Sequence, residues 1–303
     1  MEDAKAVRNI RIYASTLLFL IVFGYACSTA SAQEGQKWER YTGKGEAFTA
    51  LFPERPSAVT TYRPVRFFDA RKAEQYRGTL YNAYSDGVVY LIYSFPRRSE
   101  PLQKFVDEFM DRYASSIQLI SGRDVTLGAT SGQRDTIKFR DVDGVLDFYI
   151  TDNRAYVLEI VGADETNASV KRFLDSFTIG GAPDSAAIEI KPDMNKSSQA
   201  DEQQDTGPVF TTKEVTRKAI LVLRREPQYT EEAREAHLSG NVVIKAVLSS
   251  SGKVTNIEVT KSLSHGLTEK AIEAARQIIF IPAMKDGRFV SQSIQAEYNF
   301  SVY

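Results

Sequence analysis

Two kinds of hydrophobic spacing alternate along the chain. Phe48 to Phe52, Gly78 to Ser85 and Val88 to Phe95 are rich in Tyr, Val, Ile and Leu, which fit a pleated surface. Asp86-Gly87, between the last two runs, suits a two-residue hairpin, so these runs are predicted to pair as antiparallel neighbours. After Pro101 the spacing changes: Leu102, Phe105, Val106, Phe109, Met110 and Tyr113 share one helical face. Pro101 suits the first turn of that helix, where its missing N–H does no harm. Strand-like runs return at Arg134 to Arg140, Val145 to Thr151 and Tyr156 to Val161, with Asp143-Gly144 and Asp152-Asn153 as the expected turns of a meander. A helix over Thr166 to Phe177, apolar at Val170, Phe173, Leu174 and Phe177, is expected to close the unit. Residues 37–180 are therefore read as an antiparallel α/β sandwich, one of two domains in an α+β protein.

From Gly180 to Thr212 the pattern fades. Gly, Pro, Ser, Gln, Asp and Glu dominate, with Ile188, Ile190 and Val209-Phe210 as the apolar exceptions, and residues 181–212 are read as a flexible acidic linker. Periodicity resumes in residues 213–303. Thr230 is a good N-cap for a helix whose first turn carries Glu231 and Glu232, and Ser239-Gly240 is expected to stop it. Val242, Ile244, Ala246 and Leu248 alternate along a first strand, and Gly252 turns it into a second over Val254 to Thr260. Thr268 is the expected cap of a helix through Ala271, Ile272, Ala275 and Ile278, which Pro282 cannot continue. The final run, Ser293 to Val302, sets Ile294, Ala296, Tyr298, Phe300 and Val302 on one face against Gln295, Glu297, Asn299 and Ser301 on the other.

The chain has 303 residues, enough for two domains with their own cores, and 43% hydrophobic residues with 17 Phe and 15 Tyr place it among globular proteins. Lys and Arg (38) nearly cancel Asp and Glu (39), which disfavours a dedicated nucleic-acid binder. The single Cys27 excludes an intrachain disulfide, and with only His237 and His265 beside it no Cys/His zinc site can be assembled. No metal or cofactor is expected. At the amino terminus, Lys5, Arg8 and Arg11 precede the apolar run Leu17 to Ala26, followed by Ala30-Ser31-Ala32. That order describes a signal peptide over residues 1–32, cut after Ala32. The alternative is an uncleaved anchor over Ile10 to Ala32, which leaves the chain inner-membrane associated and facing the periplasm. Lipidation at Cys27 lacks the branched apolar residue three positions earlier, where Gly24 stands.

Catalytic signals are weak. Neither His237 nor His265 lies beside a nucleophile elbow or an oxyanion-donor motif, so the chain is read as non-enzymatic. Asp141 and Asp143 have the composition of a paired-carboxylate site, but Asp143-Gly144 reads as a turn. Arg97-Arg98 and Arg224-Arg225 flank strands and read as solvated edges. Tyr81, Tyr84, Tyr90 and Tyr93 either pack across paired strands or line a groove for a small molecule or lipid.

The carboxy-terminal residues resemble the terminal domain of TonB-family energy transducers. Glu226 to Arg234 (EPQYTEEAR) is similar to the family's proline-tyrosine entry to the first helix, and Gly240 to its glycine-led first strand. Gly252-Lys253-Val254 matches the hairpin glycine, Gly266 to Gln277 the alanine-rich helix, and Phe280, Pro282, Gly287 and Phe300 the later landmarks. The resemblance covers residues 213–303 and implies an αββαβ domain that offers a sheet edge to a segment of an outer-membrane transporter or another envelope protein. It makes Ser293 to Val302 the candidate edge, with Gln295, Glu297, Asn299 and Ser301 as partner-binding residues. It also implies a periplasmic location and a role in energy-coupled transmembrane transport. The linker departs from the family's Pro/Lys-rich spacer. Residues 38–179 are only weakly similar to the PsbP-like sandwich, and the alternative function is a periplasmic small-molecule or lipid binder acting through that Tyr-rich domain.

Overall fold

A computed structural model describes residues 37–62, 75–111, 115–180, 186–191 and 207–301. The expected signal peptide, the middle of the linker and Val302 lie outside the described residues. The amino-terminal part contains β1 (Glu39–Gly43), β2 (Phe48–Phe52), β3 (Ser57–Tyr62), β4 (Arg77–Ser85), β5 (Val88–Pro96), α1 (Leu102–Asp111), β6 (Ile117–Leu127), β7 (Thr130–Phe139), β8 (Val142–Ile150), β9 (Arg154–Val161), α2 (Ala168–Ser176) and β10 (Thr178–Ile179). Then follow β11 (Ile188–Ile190), β12 (Val209–Phe210), β13 (Ile220–Leu223), α3 (Glu231–Glu235), β14 (Gly240–Leu248), β15 (Val254–Lys261), α4 (Leu267–Arg276), β16 (Ile279–Ile281), β17 (Ala283–Lys285) and β18 (Arg288–Phe300).

The central sheet has seven antiparallel strands in the order β3-β4-β5-β9-β8-β7-β6, two meanders joined where β5 meets β9. Asp86 and Gly87 take φ of 48° and 82°, the left-handed pair that a tight hairpin between β4 and β5 requires. Asp143-Gly144 does not turn the chain. It lies inside β8, opposite Lys138 and Ile137, and the turn falls instead at Arg140-Asp141, with Arg140 at φ 54°. A side chain at position 144 would come within 2.6 Å of the Ile160 carbonyl, so this glycine serves the close approach of two strands.

Except along the edge strand β6, most of which is exposed, both faces of the large sheet are buried. One carries Tyr81, Tyr90, Tyr156 and Leu158 against α2 and the small sheet β10-β2-β1-β11. The other carries Tyr93, Phe95, Phe148 and Val157 against Phe105, Val106 and Phe109 of α1, and also against Ile220, Val222, Leu223 and Ile281 of the carboxy-terminal part. One core of the amino-terminal part thus extends into the carboxy-terminal part, while the residues around α4 and β18 form a cluster of their own, and Trp38–Tyr303 is one compact unit. The segment read as a linker is held at both ends by its apolar exceptions, since β11 runs parallel to β1 and β12 parallel to β18.

The candidate aromatic groove is filled. Tyr81, Tyr90 and Tyr93 are fully buried, and Tyr90 packs at 5.1 Å from Phe173 and 5.8 Å from Trp38. Burial pushes the hydroxyls of Tyr90 and Tyr156 up to about 12. A folded-state value above the unfolded one stabilises the fold fully below pH of about 10 and loses that contribution as pH rises toward 12, with about 2 kcal/mol per tyrosine at stake after solvent screening is discounted. Alkaline titration is expected to show tyrosinate absorbance from the buried rings rising together with loss of far-ultraviolet circular dichroism. Complete tyrosine ionisation with the fold intact would contradict it.

In the carboxy-terminal part, Thr230 caps α3 as expected, its hydroxyl accepting from the Ala233 N–H at 3.2 Å. That helix ends at Ala236, earlier than Ser239-Gly240, because His237 turns left-handed at φ 48°. α4 begins after Gly266 at φ 74°, and Thr268 is not its cap. The Thr268 hydroxyl instead bonds both backbone groups of Leu263, at 2.8 and 2.6 Å. Ala271, Ala274 and Ala275 of α4 pack closely on Val242 and Ile244 of β14 and on Ala296 and Tyr298 of β18.

Candidate functional site

The last long strand, β18, pairs antiparallel with β14 from Gln292 opposite Leu248 to Phe300 opposite Gly240. Its side chains alternate as the sequence predicts. Ala296, Tyr298 and Phe300 are buried, while Gln295, Glu297 and Asn299 are exposed, with Ser301 exposed just beyond the strand. The Glu297 carboxylate accepts from the Asn241 side-chain amide of the neighbouring strand.

The opposite flank of β18 divides into two stretches. Arg288 to Val290 pair with β17, and Ser291 and Gln292 pair with β12. The Gln292 side chain ties this stretch down further, accepting from the Ala219 N–H at 2.8 Å and donating to the Thr212 hydroxyl at 3.0 Å. From Ser293 to Phe300, among the described residues, no strand lies on that flank.

Which backbone groups face outward follows from two contacts. On β14, the Val243 carbonyl accepts from Thr260 on the β15 side, so Val243 and its partner Glu297 do not bond each other. On β18, the Glu297 carbonyl accepts from the Arg224 guanidinium. Residues two apart share this direction, so the N–H and C=O of Gln295, Glu297 and Asn299 point away from the sheet, and those of Ala296 and Tyr298 bond β14.

Residues 225–302 match the family model described as the Gram-negative bacterial TonB protein C-terminal. That segment is a TonB-family carboxy-terminal domain. Among solved structures, the solution structure of the Pseudomonas aeruginosa TonB carboxy-terminal domain is similar at 20% identity with a TM-score of 0.25, over 28% of this chain and 87% of that one. Cyanobacterial PsbP from Synechocystis sp. PCC 6803 is similar at 10% identity with a TM-score of 0.33, over 51% of this chain and 99% of that one. No curated protein sequence matches the chain.

The entry to the TonB-family domain lies against the open strand. Arg224 sits 4.5 Å from the Tyr298 ring centre, and the Tyr229 ring meets Phe300 edge-on at 5.8 Å. Burial raises the Tyr298 hydroxyl above its ordinary range, against the opposing pull of Arg224. Arg225 donates to the Thr60 carbonyl of β3, the edge strand of the large sheet. Arg224 is exposed as the sequence reading expects and Arg225 is half-buried, and each in addition caps a backbone acceptor on a different sheet. Only the register of two distant strands reveals this, and no local pattern signals it.

The remaining candidates stay apart from this edge. His265 bonds the Ser264 hydroxyl at 2.8 Å, and Asp143 pairs with Lys138 at 2.8 Å. Sequence reasoning missed the buried acids. Asp147, 1% exposed, takes a bidentate contact from Arg134 at 2.5 and 2.6 Å and a third from the Tyr149 hydroxyl at 3.1 Å. Glu165 accepts from Arg123 and Arg134, and these guanidiniums, Arg123 first, hold its carboxyl down at about 2. Glu159 takes the Tyr93 hydroxyl at 2.9 Å, and Glu46 pairs with Arg154 at 3.1 Å. The Arg134–Asp147 and Tyr93–Glu159 contacts pin neighbouring strands together, whereas Glu165 reaches in from the turn before α2, where it and Arg123 are partly exposed, and Glu46 lies between β1 and β2. No group of three or more His, Cys, Asp or Glu side chains among the described residues is placed to hold a metal ion.

Proposed function

We propose that this chain is a non-enzymatic envelope protein whose TonB-family domain binds a partner by strand addition on the outer flank of β18. The occupant is an extended segment of an outer-membrane transporter or of another envelope protein. One observation carries the reading: Gln295, Glu297 and Asn299 offer outward backbone groups on a flank that has no strand beside it among the described residues. An added strand gains its affinity from main-chain hydrogen bonds, and the exposed row Gln295, Glu297, Asn299 and Ser301 tunes which sequence fits. The basic, apolar and small-residue order of residues 5–32 supports export to the periplasm, by cleavage or with the segment retained as an inner-membrane anchor. Among the described residues no helix is long and apolar enough to cross a membrane. Participation in energy-coupled transport follows the family resemblance, with residues 37–180 as a body attached to the docking domain.

Gln295→Pro tests the site. Proline removes an outward donor and leaves the bonds to β14 in place, which edge strands tolerate. Binding of synthetic peptides from the amino-terminal plug segments of outer-membrane transporters is expected to weaken about tenfold or more, with circular dichroism unchanged. Unchanged affinity in a folded variant removes β18 as the docking edge.

A further inference from the structure

Arg224 and Arg225 each reach one backbone carbonyl on a stretch of strand beside which no further strand lies among the described residues: Glu297 of β18 and Thr60 of the edge strand β3. We propose that this arginine pair is a latch on the docking edge, closed in the free protein and displaced when a strand is added. The proposal rests on the docking reading above and assigns that site its regulation.

The geometry supports it in three steps. Glu297 is the middle of the three outward residues, so its carbonyl is the acceptor that a pairing strand takes at the centre of the new ladder. The carbonyl keeps a second lone pair, but the Arg224 guanidinium stands on the outer flank where an added backbone must lie, so a pairing strand has to displace it to reach that oxygen. Arg224 is also kept in place from below, 4.5 Å from the centre of the Tyr298 ring, and a cation on a ring face adds to the hold. Arg225 then anchors the same stretch of backbone to the edge of the large sheet, while Val222 and Leu223 just before it are sealed in that sheet's core. The sandwich therefore acquires a role that its own sequence did not announce: it holds the latch shut. An exposed edge without such cover invites pairing with any passing strand, and a displaceable cover protects it without closing it.

The test uses the full chain and the same plug-segment peptides. Arg224→Ala is expected to bind about three- to tenfold tighter than the parent chain, because the eviction step is gone. Arg224→Lys, with a charge but no planar fork, is expected to fall between them, and Arg225→Ala to tighten binding by a smaller factor. If the parent binds and Arg224→Ala binds equally or more weakly, the latch is wrong and the docking edge stands. If neither binds, the docking reading fails, and hydrogen exchange in the free proteins decides the latch. Faster exchange at the amides of Gln295, Glu297 and Asn299 in Arg224→Ala supports it, and identical exchange overturns it.

Discussion

Replacing Ile281 with Ala is expected to lower the stability of the amino-terminal sandwich as much as that of the sheet to which it belongs in sequence. Ile281 is 1% exposed, and it shares a core with Tyr93, Phe95, Phe105 and Phe148. Truncating such a side chain removes its transfer free energy and leaves a cavity, together worth about 2–5 kcal/mol. Trp38 makes the effect readable. It is the one tryptophan of the chain and packs 5.8 Å from Tyr90, on the other face of the large sheet from Ile281. With a shared core, Trp38 fluorescence and far-ultraviolet circular dichroism lose their signals at one midpoint, and Ile281→Ala lowers that midpoint in both. A Trp38 transition that stays in place while circular dichroism splits into two steps would mean separate cores.

This shared core is also the least legible feature of the sequence. Ile220 to Leu223 is a short apolar run without alternation, and nothing in its spacing says whether it faces its own helices or a foreign sheet. β18 was legible for the opposite reason. One of its faces is sealed against alanines and the other is solvated, so apolar and polar residues must alternate through Ala296, Tyr298 and Phe300. β6 escaped notice because neither of its faces is sealed over most of its length: it is an edge strand, exposed at nearly every position, and Leu119 and Ile120 are more than half exposed. Local rules also failed where tertiary contact reassigns a residue. Gly144 reads as a turn glycine yet sits where two strands nearly touch, and Thr268 reads as a cap yet bonds the preceding loop. The same holds at the candidate site. Its exposed row was visible from alternation, but the outward direction of the backbone and the arginines that cover it depend on pairings across more than seventy residues.

The buried pins between strands set the second large effect. Arg134 and Asp147 stand directly opposite each other on β7 and β8, so their bidentate contact reinforces the ladder's own register. Asp147→Ala leaves a guanidinium that is only 17% exposed without its principal counter-ion. Breaking one partner of a buried pair costs about 3–5 kcal/mol, because desolvation has already been incurred and attraction no longer offsets it. Glu165, which also accepts from Arg134 at 3.2 Å, keeps part of the compensation, so the loss should lie near about 3 kcal/mol. Removing both charges should cost far less. An Arg134→Met, Asp147→Leu double variant eliminates the stranded ion and fills the space with apolar atoms, so urea unfolding should place it within about 1 kcal/mol of the parent, well above the single variant. If the double variant were as unstable as Asp147→Ala, the pair would contribute through its attraction and not merely avoid a stranded charge, and its place in the sheet would have to be read as a source of stability.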